Sequence, residues 1–213
     1  MQRVGFYVVP IGKKCMRKKN LFYLFLLMLV PSIGFPQGMK LAYNSSILYP
    51  GAKAGYEVAY KSLNFEKTKK SGKTRIFTRE NLLSANVGYY HHRGYHDNIY
   101  LTAGWTKRKI RSNGFFTEFS PEIGISRTFL GGTTYQFDET GQFSVKKSSG
   151  YFYPLLSVGG GIGYDFSVKQ KDKPFKLYSK LNLLAMYPYN NSVYLRPTFE
   201  LGIIYQLKNT KKQ

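Results

Sequence analysis

The chain has 213 residues, a formal charge of +21, 19 tyrosines, 16 phenylalanines, 21 glycines and a mean hydropathy of −0.33. That hydropathy excludes a bundle of membrane helices, each of which needs about 20 consecutive apolar residues. It suits a membrane β-barrel, in which only alternate residues meet lipid. Cys15 is the single cysteine, so intrachain disulfides and cysteine-based zinc sites are excluded, and the length suits one domain.

The first predicted element is a leader. Lys13, Lys14, Arg17, Lys18 and Lys19 precede a continuous apolar run, LFYLFLLMLV over 21–30, which PSIGFPQ over 31–37 then breaks. A basic region, a short apolar core and a breaker form a secretory signal peptide, too short for a comfortable transmembrane helix. The expected processed segment is 1–37, with cleavage near Gln37 and Met16 as an alternative start of translation. Removing it takes away six basic and no acidic residues, leaving 26 against 11, a charge of +15.

Strand candidates then follow at 39–48, 52–62, 80–92, 97–109, 113–129, 152–167, 175–187 and 193–207. Several alternate with a period of two, the mark of a strand with one oily and one wet face. Leu83, Ala85, Val87 and Tyr89 oppose Ser84, Asn86 and Gly88; Ile99, Leu101, Ala103 and Trp105 oppose Tyr100, Thr102 and Gly104. A further hairpin is predicted at 132–148, turning at Asp138–Gly141. Its few apolar residues make it a loop hairpin above the membrane, or else a pair that raises the count to ten. The stretch 63–79, rich in Lys and Thr, reads as a connection.

The last strand, VYLRPTFELGIIYQL over 193–207, is the clearest. It exceeds the roughly 9–11 residues that a tilted strand needs to cross a bilayer. Glu200, Gly202, Tyr205 and Leu207 fit the terminal pattern of outer-membrane barrels and are the candidate insertion signal read by the barrel-assembly machinery. The expected fold is therefore all-β: an antiparallel, up-and-down transmembrane barrel of about eight strands, an even number as bacterial single-chain barrels favour. With Leu207 in the periplasm, 49–51, 93–96, 130–151 and 188–192 fall outside and 63–79 inside. Tyr60, Tyr89, Trp105, Tyr153, Tyr187 and Tyr205 are the expected interface girdle.

These features resemble the small outer-membrane β-barrel proteins of the Bacteroidota. The resemblance rests on Tyr43-Asn44-Ser45-Ser46 with Tyr49-Pro50-Gly51, Gly88-Tyr89-Tyr90-His91-His92, Arg111-Ser112-Asn113-Gly114-Phe115-Phe116, GGGIGYD over 159–165, Tyr187-Pro188-Tyr189-Asn190 and Glu200-Leu201-Gly202. It spans most of 39–207. It implies fold and location, and no activity.

The inward parity gathers Lys53, Glu57, Glu118, Glu122, Lys180, Arg196 and Glu200. Charges inside a narrow barrel must be paired, so an internal salt-bridge network is expected, with a polar path for ions or small solutes as the alternative. Glu118 and Glu122 lie roughly 13 Å apart along one strand, too far to share a proton. His92 and His96 are placed to approach across a hairpin, with Asp97 the nearest further ligand, but the cluster with His91 reads better as interfacial rings. Ser84, Glu80 and the histidines carry no recognisable triad spacing. Gly159–Gly163 lacks the strand–helix setting of a nucleotide loop; inward glycines instead make room for rings such as Tyr100 and Tyr178.

No catalytic residue, metal or cofactor is expected. The partners expected are outer-membrane lipid and lipopolysaccharide, with Arg93, Lys146 and Lys147 facing lipid phosphates and Lys208, Lys211 and Lys212 near the inner leaflet. No nucleic-acid motif is present, and a monomer is expected. The role expected is structural or surface-binding. A transport barrel, a lipid A-modifying enzyme and a soluble lipocalin-like barrel are the alternatives.

Overall fold

A computed structural model describes residues 37–46, 49–68, 74–137, 141–146, 149–170, 172–189 and 192–207. The proposed leader, Lys147 and the tail lysines lie outside these residues. The described strands are β1 (Gln37–Ser45), β2 (Gly51–Thr68), β3 (Thr74–His92), β4 (His96–Arg111), β5 (Phe115–Leu130), β6 (Thr134–Phe137), β7 (Phe143–Lys146), β8 (Gly150–Asp165), β9 (Phe175–Tyr189) and β10 (Ser192–Leu207). Eight close into one antiparallel ring in the order β1-β10-β9-β8-β5-β4-β3-β2, while β6 and β7 pair only with each other. The 132–148 segment thus adds a hairpin but no staves.

The register fixes the barrel's geometry. From Gln206 the partners run through Gly38, Glu57, Ser84, Gly104, Glu122, Ser157 and Leu184 and return to β10 at Arg196. The path climbs ten residues, 206 minus 196. A shear of ten at ~3.3 Å per residue, over eight spacings of ~4.8 Å, tilts the strands by roughly 41°.

Each wall strand alternates, and its oily side faces out. Leu41, Leu83, Leu101, Ile123, Leu156, Leu181, Leu195 and Ile203 are all exposed. On β10 this apolar surface runs from Tyr205 to Leu195. Ten residues at the tilt above give a belt of about 25 Å, the height of the lipid-facing band of a membrane barrel. The inward side is polar, which removes the lipocalin-like alternative, whose oily side chains face inward.

Two expectations need correction. The stretch expected to be a connection is strand where it is described: β2 and β3 run on as a paired ribbon, from Lys61 opposite Asn81 down to Thr68 opposite Thr74. A register shift between Ala59 and Lys61 flips the outward parity from even to odd residues, so the strand's continuation is masked in the sequence. Tyr153 points into the lumen and is buried, because its parity on β8 is that of Ser157; Phe152 takes the outward position. Among the inward glycines, a Cβ at Gly88 would enter the Tyr100 ring and one at Gly202 would crowd Tyr178, while Gly159, Gly161 and Gly163 clear space for Asn182, Lys180 and Phe116.

Candidate functional site

The candidate site is the lumen, built from the inward alternates of all eight wall strands. Two apolar plugs bound it. Tyr90, Tyr100, Tyr153, Leu155, Leu184 and Met186 pack together, with Tyr49, Tyr189 and Tyr194 against them, near the end that carries the β3–β4 turn. At the other end Ala42, Ile110, Phe116, Tyr178 and Ile204 pack together. Rings and aliphatic chains meet across the bore at both ends, so the polar groups between them are sealed from bulk water.

Along the lumen run two groups of ion pairs, one about Lys53 and Lys180 and one about Arg108. Lys53 on β2 donates to both carboxylate oxygens of Glu122 on β5, each at 3.1 Å, and to Glu200 Oε2 on β10 at 3.4 Å. Glu122 also accepts from Thr102 Oγ1 at 2.8 Å and lies 3.6 Å from Lys180 Nζ, which donates to Ser120 Oγ at 3.0 Å. Glu200 accepts from the Tyr178 hydroxyl at 2.6 Å and Asn182 Nδ2 at 3.1 Å. Nearer the terminal end, Arg108 on β4 forms a fork on Glu57, Nη1 to Oε1 at 2.7 Å and Nη2 to Oε2 at 3.0 Å. Its Nε and Nη2 donate to Glu118 Oε2 at 3.0 and 2.9 Å. Lys40 stands 3.7 Å from Glu57, and Lys176 bridges Asp165 at 3.1 Å and Glu80 at 3.5 Å. Charge-assisted, bidentate contacts of this kind are the strong class of hydrogen bond, and buried charges survive only when paired this way.

All seven residues singled out from the sequence lie in the lumen and are buried. Six of them join these groups. Arg196 does not pair with a carboxylate among the described residues. Its guanidinium carbon sits 3.4 Å from the centroid of Tyr90 and 5.6 Å from that of Tyr49, stacked in the aromatic plug. Its Nε and Nη2 find no hydrogen-bond partner there, so ring faces replace an anion. Glu118 and Glu122 bind separate cations and form no dyad. The sequence reading missed Lys40, Arg108, Asp165 and Lys176. Arg108 was within reach of it: counting by two from Tyr100 through Thr102, Gly104 and Thr106 arrives at Arg108 on the inward side.

The histidine cluster separates. His92 and His96 face each other edge to face at 5.1 Å, and His92 also stacks on Tyr95 at 4.5 Å. Asp97 turns to the other side, where His91 Nδ1 lies 2.6 Å away and the Tyr89 hydroxyl donates at 3.0 Å. Among the described residues no group of three or more His, Cys, Asp or Glu side chains is arranged so that it could hold a metal ion. Ser84 faces the lumen, seven positions along β3 from the outward His91, a separation of roughly 23 Å. On the outer wall Tyr60, Tyr89, Tyr187 and Tyr205 are exposed. Trp105 is partly exposed and donates to the Tyr60 hydroxyl at 2.8 Å. Gly202 faces inward and Tyr205 and Leu207 outward, around Glu200 in its network.

No protein-family model and no curated protein matches the chain. Among solved structures it is similar to Neisserial surface protein A, at 14% identity and a TM-score of 0.43, over 81% of this chain and 96% of that one. It is similar to the N-terminal β-barrel domain of Pseudomonas aeruginosa OprF, at 14% identity and 0.43, over 81% and 97%. It is also similar to the Yersinia pestis outer membrane protein Ail, at 13% identity and 0.37, over 82% and 100%. The barrel itself rests on the closed ring of paired strands described above.

Proposed function

We propose that this chain is an integral outer-membrane β-barrel with a structural or surface-binding role, a closed lumen and no catalysis. The observation that carries this reading is the inverted polarity of the wall. An apolar belt of about 25 Å faces out, while the ion pairs face in between two plugs. Only a closed barrel satisfies every strand's backbone hydrogen bonds inside lipid. The leader expected at 1–37 and the terminal Glu200-x-Gly202-x-x-Tyr205-x-Leu207 pattern favour export and insertion by the barrel-assembly machinery. The quoted motifs favour the Bacteroidota type.

On this reading the barrel is a monomer whose partners are membrane lipid and lipopolysaccharide. Arg93 and Lys146 are exposed toward the end opposite the termini. There Arg127 also lies between Phe129 and Phe152, 4.9 and 4.7 Å from their centroids. Such cations held among interfacial rings suit lipid A phosphates.

The test is fractionation and unheated electrophoresis. The expected result is recovery with outer membranes and a mobility that shifts on boiling. Recovery as a soluble protein without detergent would overturn the proposal.

A further inference from the structure

Beyond the apolar belt, at the end that carries the termini, the outer face of β2, β3 and β4 changes character. Strand pairing arranges its outward residues in rungs: Lys61–Asn81–Lys107, Leu63–Arg79–Lys109, Phe65–Phe77–Arg111 and Lys67–Arg75. All seven cations are exposed. Among the described residues no carboxylate shares this face. Glu66 alternates to the other side of the ribbon, and Glu80 turns to the lumen, where it meets Lys176.

The rungs hold like charges side by side. Arg79 lies directly opposite Lys109, and Lys67 opposite Arg75. Such pairs destabilise a sheet unless a counter-charge lies between them, and none comes from the described residues of this face. Aromatic rings hold the cations against the sheet: Lys109 Nζ is 4.1 Å from the centroid of Phe77, Lys107 Nζ 4.4 Å from Trp105, Arg79 5.2 Å from Phe65 and Arg111 5.2 Å from Phe115. The first rung is two residues from Leu83 and Trp105, where the apolar belt stops. Cations arrayed at that level stand at the depth of lipid headgroups.

We infer that this face binds the phosphates of anionic phospholipids in the leaflet at the terminal end of the barrel. The inference rests on the membrane reading above. Lysines supply point charges and Arg79 and Arg111 planar forks for phosphate oxygens, while the rings between them reach the acyl boundary. Each cation near an anionic membrane surface strengthens attraction by about fivefold, so removing three is worth at least tenfold.

The experiment compares the full chain, refolded into phosphatidylcholine vesicles and into vesicles with added phosphatidylglycerol, with the variant R79Q/K109Q/R111Q and, as a charge-conserving control, R79K/R111K. Lipid retention by native mass spectrometry is expected to favour phosphatidylglycerol over phosphatidylcholine in the parent and the control, and to lose at least about tenfold of that preference in the triple variant. Stability should change sign with the lipid: the triple variant unfolds at higher urea than the parent in phosphatidylcholine, where repulsion is relieved, and at lower urea with phosphatidylglycerol. An unchanged preference in the triple variant, or none in the parent, overturns the inference while leaving the barrel intact. Stronger retention of lipid A, lost in the triple variant, overturns the assignment to phospholipid. Failure to insert into either vesicle removes the membrane reading and this inference with it.

Discussion

Arg108→Met is the sharpest probe of the lumen. The substitution keeps most of the side-chain volume and removes the guanidinium that holds Glu57 and Glu118 through four contacts of 2.7 to 3.0 Å. Both carboxylates stay buried, at 3% and 6% exposure, and Glu57 keeps only Lys40 at 3.7 Å. Breaking a buried pair from one side costs about 3–5 kcal/mol, because the surviving charge has neither partner nor water. The quadruple variant R108M/K40M/E57Q/E118Q removes two cations and two acids together, since Lys40 pairs with Glu57, and neutral replacement of a buried charge group is often far less costly. The expectation is that the quadruple variant unfolds at higher urea than R108M, recovering at least about 2 kcal/mol. Unfolding in bilayers is followed by the emission of Trp105, the single tryptophan, and by gel mobility. A loss under about 1 kcal/mol for R108M, or a quadruple variant worse than the single, would refute the view that these ions are held by mutual pairing between dry plugs.

Three further outcomes follow from the same geometry. Leu181→Arg, midway along β9 and exposed on the outer wall, should cost about 2–4 kcal/mol in bilayers, against about 0–1 for Tyr205→Arg at the belt's edge; equal costs would show that the outer wall does not face lipid. Gly88→Ala drives a methyl into the Tyr100 ring and should cost about 1–3 kcal/mol by urea unfolding, with part of that loss relieved when Tyr100→Ala is added; no relief would place the strain elsewhere. The parent should show no steady conductance in planar bilayers, whereas replacing Tyr90, Tyr100 and Tyr153 with Ala thins the plug and should raise it. Stable channels in the parent would favour the transport alternative.

The fold was legible because each wall strand keeps one parity over its membrane-crossing length. Leu83 to Tyr89 and Leu195 to Tyr205 declare their outer face without any structural knowledge. Parity also brought Lys53, Glu122 and Glu200 to one side of three separate strands, but it is blind to which strands are neighbours, so their meeting depends on the ring's shear. Two things hid from a period-two reading. The shift after Ala59 inverts parity, so Leu63 and Phe65 read as disorder in the pattern when they are its continuation. Arg196 shares the inward parity of Glu200, yet lies four residues earlier on β10, inside the aromatic plug. Sequence spacing gives a side chain's face but not the depth at which it meets partners from other strands.

Depth also explains how the charge is divided. Among the described residues, the lumen and its lower rim hold six cations, Lys40, Lys53, Arg108, Lys176, Lys180 and Arg196, and six acids, Glu57, Glu80, Glu118, Glu122, Asp165 and Glu200. Burial demands that balance, since an unpaired ion in a sealed bore costs several kcal/mol. More than half of the chain's 11 acidic residues are thereby drawn inside. Of the 26 basic and 11 acidic residues in 38–213, 20 basic and five acidic are left for everything else. The surplus of +15 is therefore no property of the core; it belongs to the rims, the loops and the β2–β4 face, where anionic lipid can neutralise it. A lumen made neutral and an exterior left cationic are two results of one constraint, and they predict that salt should weaken lipid retention while scarcely moving the stability set by Arg108 and its glutamates.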